Sequence, residues 1–510
     1  MTEERPELQP GQLSHRQILV VIVGLMLGML VSALSQTSVS TALPTIVGEL
    51  GGQDKLSWVV SVNLLTATAF MPLWGKLSDL YGRKALFQAA IVVFLIGSAA
   101  SGLSQTIVQL IGFRAVQGLG MGGLIALSQT IIGDVVTPRQ RGRYQGYMGA
   151  TFGVATVAGP LIGGFLVDQL SWRWTFFVGI PVGIAALLVT ERSLRLPFQR
   201  RPRRIDWAGA GLIVTGTGLI LLVLSLAGTE FAWSSWWTYG LGGSGLLVLL
   251  LAAAVERRVA EPILPPRLFR SRTVTLVNFA GFVVGVAMFG AIIYLPQYLQ
   301  IVKGQSPTAS GLLTVPFMVG MLSMTIFSGQ VIARTGRYKI FPVTGLALLA
   351  VGLFLLSRLG IETSLPAAGA SMMVTGLGVG SVIQVLVTIV QSAVGRADMG
   401  AATSGAQFFR SMGGALGVAL CGAILTNRVG ELLPAKLAAS GVQPSVLHGT
   451  GTREMLGSPD QIAQLPAPVH QAVLESFAAG LHTMFLAIIP FALVGFALML
   501  FLRERPLRSS

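Results

Sequence analysis

The sequence predicts an all-α polytopic membrane protein with about fourteen transmembrane helices. Hydrophobic residues make up 53% of its 510 residues, charged residues only 11%, and the mean hydropathy is +0.73. A water-soluble protein of this size would carry far more charge on its surface. Apolar runs of roughly 17–25 residues, the length of a spanning helix, occur at 17–39, 57–75, 85–104, 107–133, 143–167, 174–191, 207–227, 238–255, 273–301, 309–331, 340–358, 364–388, 400–426 and 478–502.

The basic residues divide unevenly between the segments that connect these runs. Of 35 Lys and Arg, 26 lie in residues 1–16 and alternate loops, seven lie in the opposite loops, and Arg114 and Arg410 lie within spans. By the positive-inside rule, both termini are expected in the cytoplasm of a multi-pass plasma-membrane protein. The net charge of +15 then reflects topology, and no nucleic-acid partner is expected. The Arg run at 200–204 either contacts anionic lipid heads or simply anchors the topology.

The chain is expected to divide into two six-helix bundles and an insertion. Residues 1–191 form the N-terminal bundle, residues 192–272 form two basic linkers around an inserted helix pair, and residues 273–510 form the C-terminal bundle. The segment 427–477, rich in Pro, Gly and Ser, is predicted to be a long extracellular loop. Apolar residues at intervals of four near its end indicate an amphipathic helix that leads into the last span.

A short segment after the second span carries charges of both signs between glycines. It reads Gly-Lys-Leu-Ser-Asp-Leu-Tyr-Gly-Arg-Lys at 75–84, and the segment 329–339 is similar to it at the same point of the second half. Such a segment must turn sharply just outside the bilayer. It resembles the loop after the second span of major facilitator transporters, whose two halves are repeats related by an axis along the membrane normal.

Other motifs extend this resemblance to most of the chain, from about Leu19 to Arg503. The run from Arg114 to Gly120 resembles the fourth-span motif of these transporters, and 153–164 resembles their fifth-span antiporter motif. In that motif, glycines permit close helix approach and the proline bends the span; the residues are Gly153, Gly159, Pro160, Gly163 and Gly164. Segments at 172–174, 294–300 and 408–414 look like the fourteen-span drug:proton antiporter branch, the EmrB/QacA type.

The resemblance assigns roles to three charged residues. It implies that Asp79, Arg83 and Asp134 form a cluster that latches the cytoplasmic side in the outward-facing state. Asp79 is also placed to meet the N-terminus of the helix that starts near Gly400, where the helix dipole stabilises an anion. Asp134 at the end of the fourth span is interpreted as part of this gate, with proton transfer as the alternative.

The first span departs from the branch pattern at one position. Ser35 stands where the branch usually carries an Asp, and Asn63 in the second span stands where it often carries a Tyr. Ser32, Ser35 and Gln36 fall at helical spacing and are expected to line a cavity. Proton coupling normally uses a carboxylate that titrates between two states. Without one at position 35, Asp134 and His482 remain as candidates for a coupling group.

Two arginines lie inside predicted spans, where a charge needs partners. Arg114 and Gln117 in the fourth span, and Arg410 with Gln384 nearby in the second half, are candidate cavity or substrate residues. The alternative is structural: amides and backbone carbonyls satisfy the two guanidinium groups.

These observations predict a major facilitator carrier that exports lipophilic compounds by alternating access, with proton antiport as the family-type energy source. An exporter of lipid or of a self-made antibiotic is the alternative within the fold, and a non-transporting scaffold or sensor is the alternative outside it. No enzyme, cofactor or metal is expected, because no nucleophile, metal-ligand or phosphate-loop pattern occurs. The expected partners are a small lipophilic substrate, protons and membrane lipid, and the expected state is a monomer.

Overall fold

The computed structural model describes residues 14–51, 55–137, 139–194, 205–228, 230–439, 462 and 465–504. Helices account for most of these residues. The N-terminal bundle contains α1 (His15–Leu50), α2 (Leu56–Tyr81), α3 (Arg83–Gly102), α4 (Ile107–Val135), α5 (Arg141–Gln169), α6 (Trp174–Phe177) and α7 (Gly179–Ser193). The inserted pair is α8 (Trp207–Leu226) and α9 (Trp236–Glu256).

The C-terminal bundle follows a short linker helix, α10 (Pro266–Arg270). It contains α11 (Arg272–Ile301), α12 (Pro307–Leu313), α13 (Val315–Thr335), α14 (Ile340–Ser357), α15 (Leu365–Ala393), α16 (Met399–Ala439) and α17 (Ala467–Leu500). Within the described ranges, fourteen helical stretches are long and apolar enough to cross a membrane, and α6 with α7 counts as one of them. The predicted all-α fold with about fourteen spans is confirmed.

The same pattern of helix packing occurs in both bundles. In the first, α1 packs on α5 while α2 and α3 pack on α4; in the second, α11 packs on α16 while α13 and α14 pack on α15. The equivalent helices occupy equivalent places, as an internal repeat requires. Each bundle has its own apolar core, and α8 of the inserted pair packs against α2.

The charged segment at 75–84 is more helical than its sequence suggests. We expected a loop, but α2 continues to Tyr81 and α3 begins at Arg83, so that Gly82 alone makes the turn, with φ 96°. That conformation favours glycine because it has no Cβ. Gly336, with φ 72°, ends α13 at the equivalent point of the second half.

The predicted extracellular loop at 427–477 is wrong in extent. Helix α16 continues to Ala439, and α17 begins at Ala467. The buried residues Val469, Val473 and Phe477 lie on the predicted apolar stripe of α17. Both helices are longer than their apolar runs because polar residues can end a hydrophobic run without ending the helix. The middle of this segment, the Arg run at 200–204 and the first thirteen residues lie outside the described residues.

Candidate transport pathway and gate

The structure brings together the three charged residues that the sequence grouped. The Arg83 guanidinium lies 2.6 Å from Asp79 Oδ1 and 2.7 Å from Asp134 Oδ2. Asp79 also accepts hydrogen bonds from the backbone N–H groups of Gly400 and Ala401, each at 3.0 Å. The first turn of α16, in the C-terminal bundle, is therefore held by a carboxylate of α2, in the N-terminal bundle. We call this end of the molecule the charged end.

Glycines let the two bundles touch at the charged end. A Cβ on Gly75 of α2 would lie 2.0 Å from Ser404 Oγ and 2.6 Å from the Gly400 carbonyl oxygen of α16. A Cβ on Gly142 of α5 would lie 2.8 Å from the Cα of Gly329 of α13. Neither approach leaves room for a side chain. The charged end is closed by direct backbone contact between the bundles.

Two further hydrogen bonds cross between the bundles there. Gln391 Nε2 of α15 donates to the Gln129 carbonyl of α4 at 2.9 Å, and the Arg139 guanidinium donates to the Arg334 carbonyl at 2.8 Å. The sequence reasoning named Gln391 only as a possible partner of Arg410 and did not select Gln129 or Arg139, since a lone Gln in an apolar run has no motif. The only signal for Gln129 and Gln391 was a polar amide within a span, which must find a partner.

Four of the predicted cavity residues of the first bundle join one buried network. Gln117 Nε2 donates to Ser35 Oγ at 2.9 Å, and Arg114 donates to Gln117 Oε1 at 3.0 Å and to the Val59 carbonyl at 3.1 Å. Asn63 donates to the Arg114 carbonyl at 3.1 Å. The Arg114 charge is thus held by amide and carbonyl oxygens, as the structural alternative expected.

The buried network includes one residue that was not predicted, and two predicted cavity residues make no hydrogen bond to it among the described contacts. Ser98 of α3, which the sequence reasoning did not select, accepts from Gln117 Nε2 at 3.0 Å. Ser32 donates to the Met29 carbonyl of its own helix, and Gln36 is half-buried. Ser35 is therefore hydrogen-bonded to Gln117, which in turn is hydrogen-bonded to Arg114.

The fifth-span motif packs against the first span through two of its glycines. A Cβ on Gly159 would lie 1.9 Å from Thr37 Oγ1, and one on Gly163 would lie 2.7 Å from the Ser38 carbonyl oxygen. Gly153 instead faces α13, where a Cβ on Gly153 would lie 2.9 Å from Leu322 Cδ1. The expectation for Gly164 was wrong: a Cβ there meets nothing within 4 Å, because this position of the helix faces away from α1.

Pro160 lies inside α5 and is exposed. Nearby, Thr37 Oγ1 of α1 donates across the interface to the Ala155 carbonyl at 3.1 Å. A hydroxyl of the first span thus bonds to the fifth-span backbone one turn before the proline.

Arg410 lines a small pocket inside the C-terminal bundle. Within the described part of the chain, its guanidinium has no ion pair or hydrogen bond, so the structural alternative, in which Gln384 or another nearby amide or carbonyl satisfies it, is not found. Gln407 lines the same pocket, and no described residue accepts a hydrogen bond from its buried Nε2. The other walls of this small, partly open pocket are Val277, Gly281, Val284, Ile383, Leu386, Val387 and Ala406.

Gln384 lies toward the other bundle. Its Nε2 is 3.9 Å from where a Cβ on Gly149 of α5 would lie, and its buried Oε1 has no hydrogen-bond partner in the described ranges. His482 lies farther away, with Nδ1 2.8 Å from the Ser357 carbonyl oxygen of α14. A carbonyl only accepts hydrogen bonds, so this His482 nitrogen must carry a proton, and the contact ties α17 to α14.

The fold consists of two bundles with the same helix packing that contact each other at the charged end. The family model of the Major Facilitator Superfamily matches residues 25–418. The chain is similar to the multidrug transporter protein MdtP of Bacillus subtilis, at 37% identity over 97% of this chain and 94% of that protein. It is also similar to multidrug resistance protein 3 of the same species, at 33% identity over 93% of each chain.

Among solved structures, the human organic anion transporter MFSD10 has the same fold, with a TM-score of 0.59 and 16% identity over 96% of this chain and all of that chain. This chain belongs to the major facilitator superfamily. It is a polytopic membrane transporter of small molecules and not an enzyme.

Proposed function

We propose that this protein exports lipophilic small molecules across the plasma membrane by alternating access. The observation that carries the proposal is the contact of Asp79 with the N-terminus of α16, because it joins one bundle to the other through a bond that can break. Rocking of the bundles would open this end and close the opposite one. The names of MdtP and multidrug resistance protein 3 support the direction and the substrate class.

We assign the charged end to the cytoplasm and the described conformation to the outward-facing state. The support is the segregation of 26 of 35 basic residues to the loops on this side. In this state the substrate site faces outside, and the latch of Asp79, Arg83 and Asp134 must release before the carrier can reload from the cytoplasm.

The first-span position governs energy coupling in our proposal. Ser35 cannot exchange a proton near neutral pH, so the chain as it stands exports weakly or only down the gradient of its cargo. It also favours neutral or anionic lipophiles over permanent cations, because the charges within its spans are Arg114 and Arg410. In support, position 35 is one side chain from Arg114, where a carboxylate and a guanidinium could interact.

Transport into proteoliposomes, with and without an imposed proton gradient, tests this proposal. Ser35→Asp should increase both the pH dependence and the export of a lipophilic cation, since it supplies a carboxylate beside Gln117. Ser35→Asn is the matched control, because the Asn side chain has the same shape as Asp but carries no titratable proton. Uphill, proton-driven export by the unaltered chain that is insensitive to Ser35→Asp would place the coupling group elsewhere.

A further inference from the structure

The inserted pair α8–α9 carries two buried carboxylates that the proposed transport cycle does not use. Asp206 and Glu256 are 7% and 4% exposed. Asp206 caps α8, because its Oδ1 accepts from the Gly209 N–H at 2.8 Å. Glu256 ends α9, and its two oxygens accept from the N–H groups of Ile263 and Leu264, each at 2.9 Å. Each carboxylate thus holds a piece of backbone in place.

The two carboxylates meet beside Gly209. A Cβ on this glycine would lie 2.2 Å from Asp206 Oδ2 and 2.7 Å from Glu256 Oε1, which places the two oxygens within about 5 Å of each other. Asp206 Oδ2 is buried and has no hydrogen-bond partner among the residues that the structure describes. An unpaired anionic oxygen is costly to bury, and a second carboxylate beside it adds to the cost. One proton held between the two carboxylates removes the repulsion and supplies a hydrogen-bond donor between them.

The other charges around the pair do not replace that proton. Lys76 of α2 is the described cation whose charge acts on Glu256. Its Nζ donates to Glu261 Oε2 at 2.8 Å, so that this ammonium is shared with a third carboxylate. Arg267 lies near enough to interact with Glu261 and pairs with Asp398, and neither it nor Lys76 makes a hydrogen bond to Asp206 or Glu256 among the described contacts.

The pair adjoins the charged end. Leu264, whose N–H bonds to Glu256, has its Cδ2 3.3 Å from where a Cβ on Gly405 of α16 would lie. Ile263 packs in an apolar cluster with Leu73 of α2. The segment 261–264 thus touches one helix from each bundle, beside the latch of Asp79.

We propose that Asp206 and Glu256 bind one proton between them, and that this proton keeps the segment 261–264 packed against the charged end. Release of the proton to water leaves two facing anions, which separate and loosen the hydrogen bonds of Glu256 to the linker. The site thereby makes closure of the charged end sensitive to pH. That last link rests on the proposed transport function, whereas the proton site itself does not.

Infrared spectroscopy of the purified full-length protein tests the proton site. The wild type should show a protonated-carboxyl band that persists above the pH at which ordinary Asp and Glu side chains ionise and that is lost at higher pH. Asp206→Asn should abolish the band and still fold, because Asn also caps helices, and Glu256→Gln should abolish it independently. Asp398→Asn is the matched control: it removes an acid at the same end that pairs with Arg267 at 2.7 Å, and it should retain the band.

Hydrogen exchange of the Ile263 and Leu264 amides tests the packing. After correction for intrinsic rates, protection should fall in the wild type over the same pH range and stay high in Asp206→Asn, whose amide mimics the protonated acid. A wild type without such a band, or a band that persists in both variants, would overturn the proposal. Neither readout uses transport, so a missing band would leave the exporter standing, and a chain without export would leave the proton site standing.

Discussion

Asp79 shows how one carboxylate can hold two bundles together. It contacts Arg83 on the next helix and, at the same time, two backbone N–H groups at the start of α16. Those N–H groups are unsatisfied within the helix, and the helix dipole adds a favourable interaction with an anion. Because the contact lies between the bundles, we expect its loss to change the conformational balance and not the fold of either bundle.

Asp79→Asn and Arg83→Ala should therefore impair transport while the protein remains folded in the membrane. A hydrogen bond to a charged group contributes about 1.5–3 kcal/mol, so each change should shift the closed population at this end by roughly tenfold or more. Transport at equal expression, together with label-to-label distances across the charged end, measures the effect. Wild-type transport by both variants would remove the latch from the mechanism.

The adjacent glycines of the fifth span offer a matched pair. Gly163→Ala places a Cβ 2.7 Å from the Ser38 carbonyl oxygen and should destabilise the α1–α5 contact by about 1–3 kcal/mol. Gly164→Ala faces open space and should leave the melting temperature in detergent nearly unchanged. Equal melting temperatures for the two variants would show that the close approach does not matter for stability.

The contacts that could be predicted from the sequence are those in which both partners belong to a recognisable sequence feature. Asp79 lies in a recognisable motif, and a helix was predicted to start near Gly400, so the contact between them was expected and is found. Arg114 and Gln117 lie three residues apart on one helix, which sets their contact. Gln391 has no such local partner: its bond to Gln129 depends on how the bundles come together, which no local pattern encodes.

At the scale of whole elements, α1 continues eleven residues past its predicted end at 39. There Glu49 accepts from Arg173 at 2.5 Å and from Trp172 Nε1 at 2.7 Å, and the Arg173 guanidinium lies 4.4 Å from the centroid of the Trp172 ring. The hydrogen bonds from Arg173 and Trp172 lower the pKa of the Glu49 carboxyl. The extension of α1 is thereby tied to the turn before α6.

A lowered pKa in the folded state makes this contact depend on pH in a defined sense. The contact stabilises the protein at pH values above the pKa of Glu49 in the unfolded chain, about 4.3. This stabilisation is lost as the pH falls through the lower pKa that Glu49 has in the folded protein. Glu49→Gln should therefore lower the melting temperature slightly at neutral pH, and the difference should vanish in acid. The pair is partly exposed, so the effect is small.

The control for this prediction is Glu431→Gln. Glu431 pairs with Arg428 three residues earlier on the same helix, at 2.9 Å, and its loss should leave the melting temperature unchanged within error. A Glu49→Gln difference that grows in acid would contradict the assigned sign.

Element ends were the part of the fold that hydropathy misjudged. Helix α16 passes through Arg428 and Glu431, where the apolar run stops but helix-forming residues continue. The turn at Gly82 was predicted as a longer loop for the opposite reason: charged residues indicate an exit from the membrane, and they fit a helix end equally well.

At the scale of the whole molecule, the topology can be tested directly. We expect a tag at residue 450 to react with an impermeant reagent added outside cells, and a tag at the N-terminus to react only after the cells are opened, because the basic residues segregate. A tag at residue 450 that reacts only from the cytoplasmic side would invert the assignment.

The repeat of two bundles could be predicted because segments at 75–84 and 329–339 share a pattern. The pairing of Asp206 with Glu256 could not be predicted from the sequence. The two residues are fifty positions apart in the inserted segment, no motif contains them, and only the packing of α8 on α9 brings them beside Gly209.

The long helix α16 has a mechanical consequence. Its 41 residues extend about 60 Å, whereas the hydrocarbon core is about 30 Å thick. Its base is held by Asp79, and its far part joins α17 through the ion pair of Lys436 with Glu475. Such a rod is a lever: a tilt of about 10° at the base moves the tip by about 10 Å. A fluorophore near Lys436 would therefore report, in amplified form, each release of the latch.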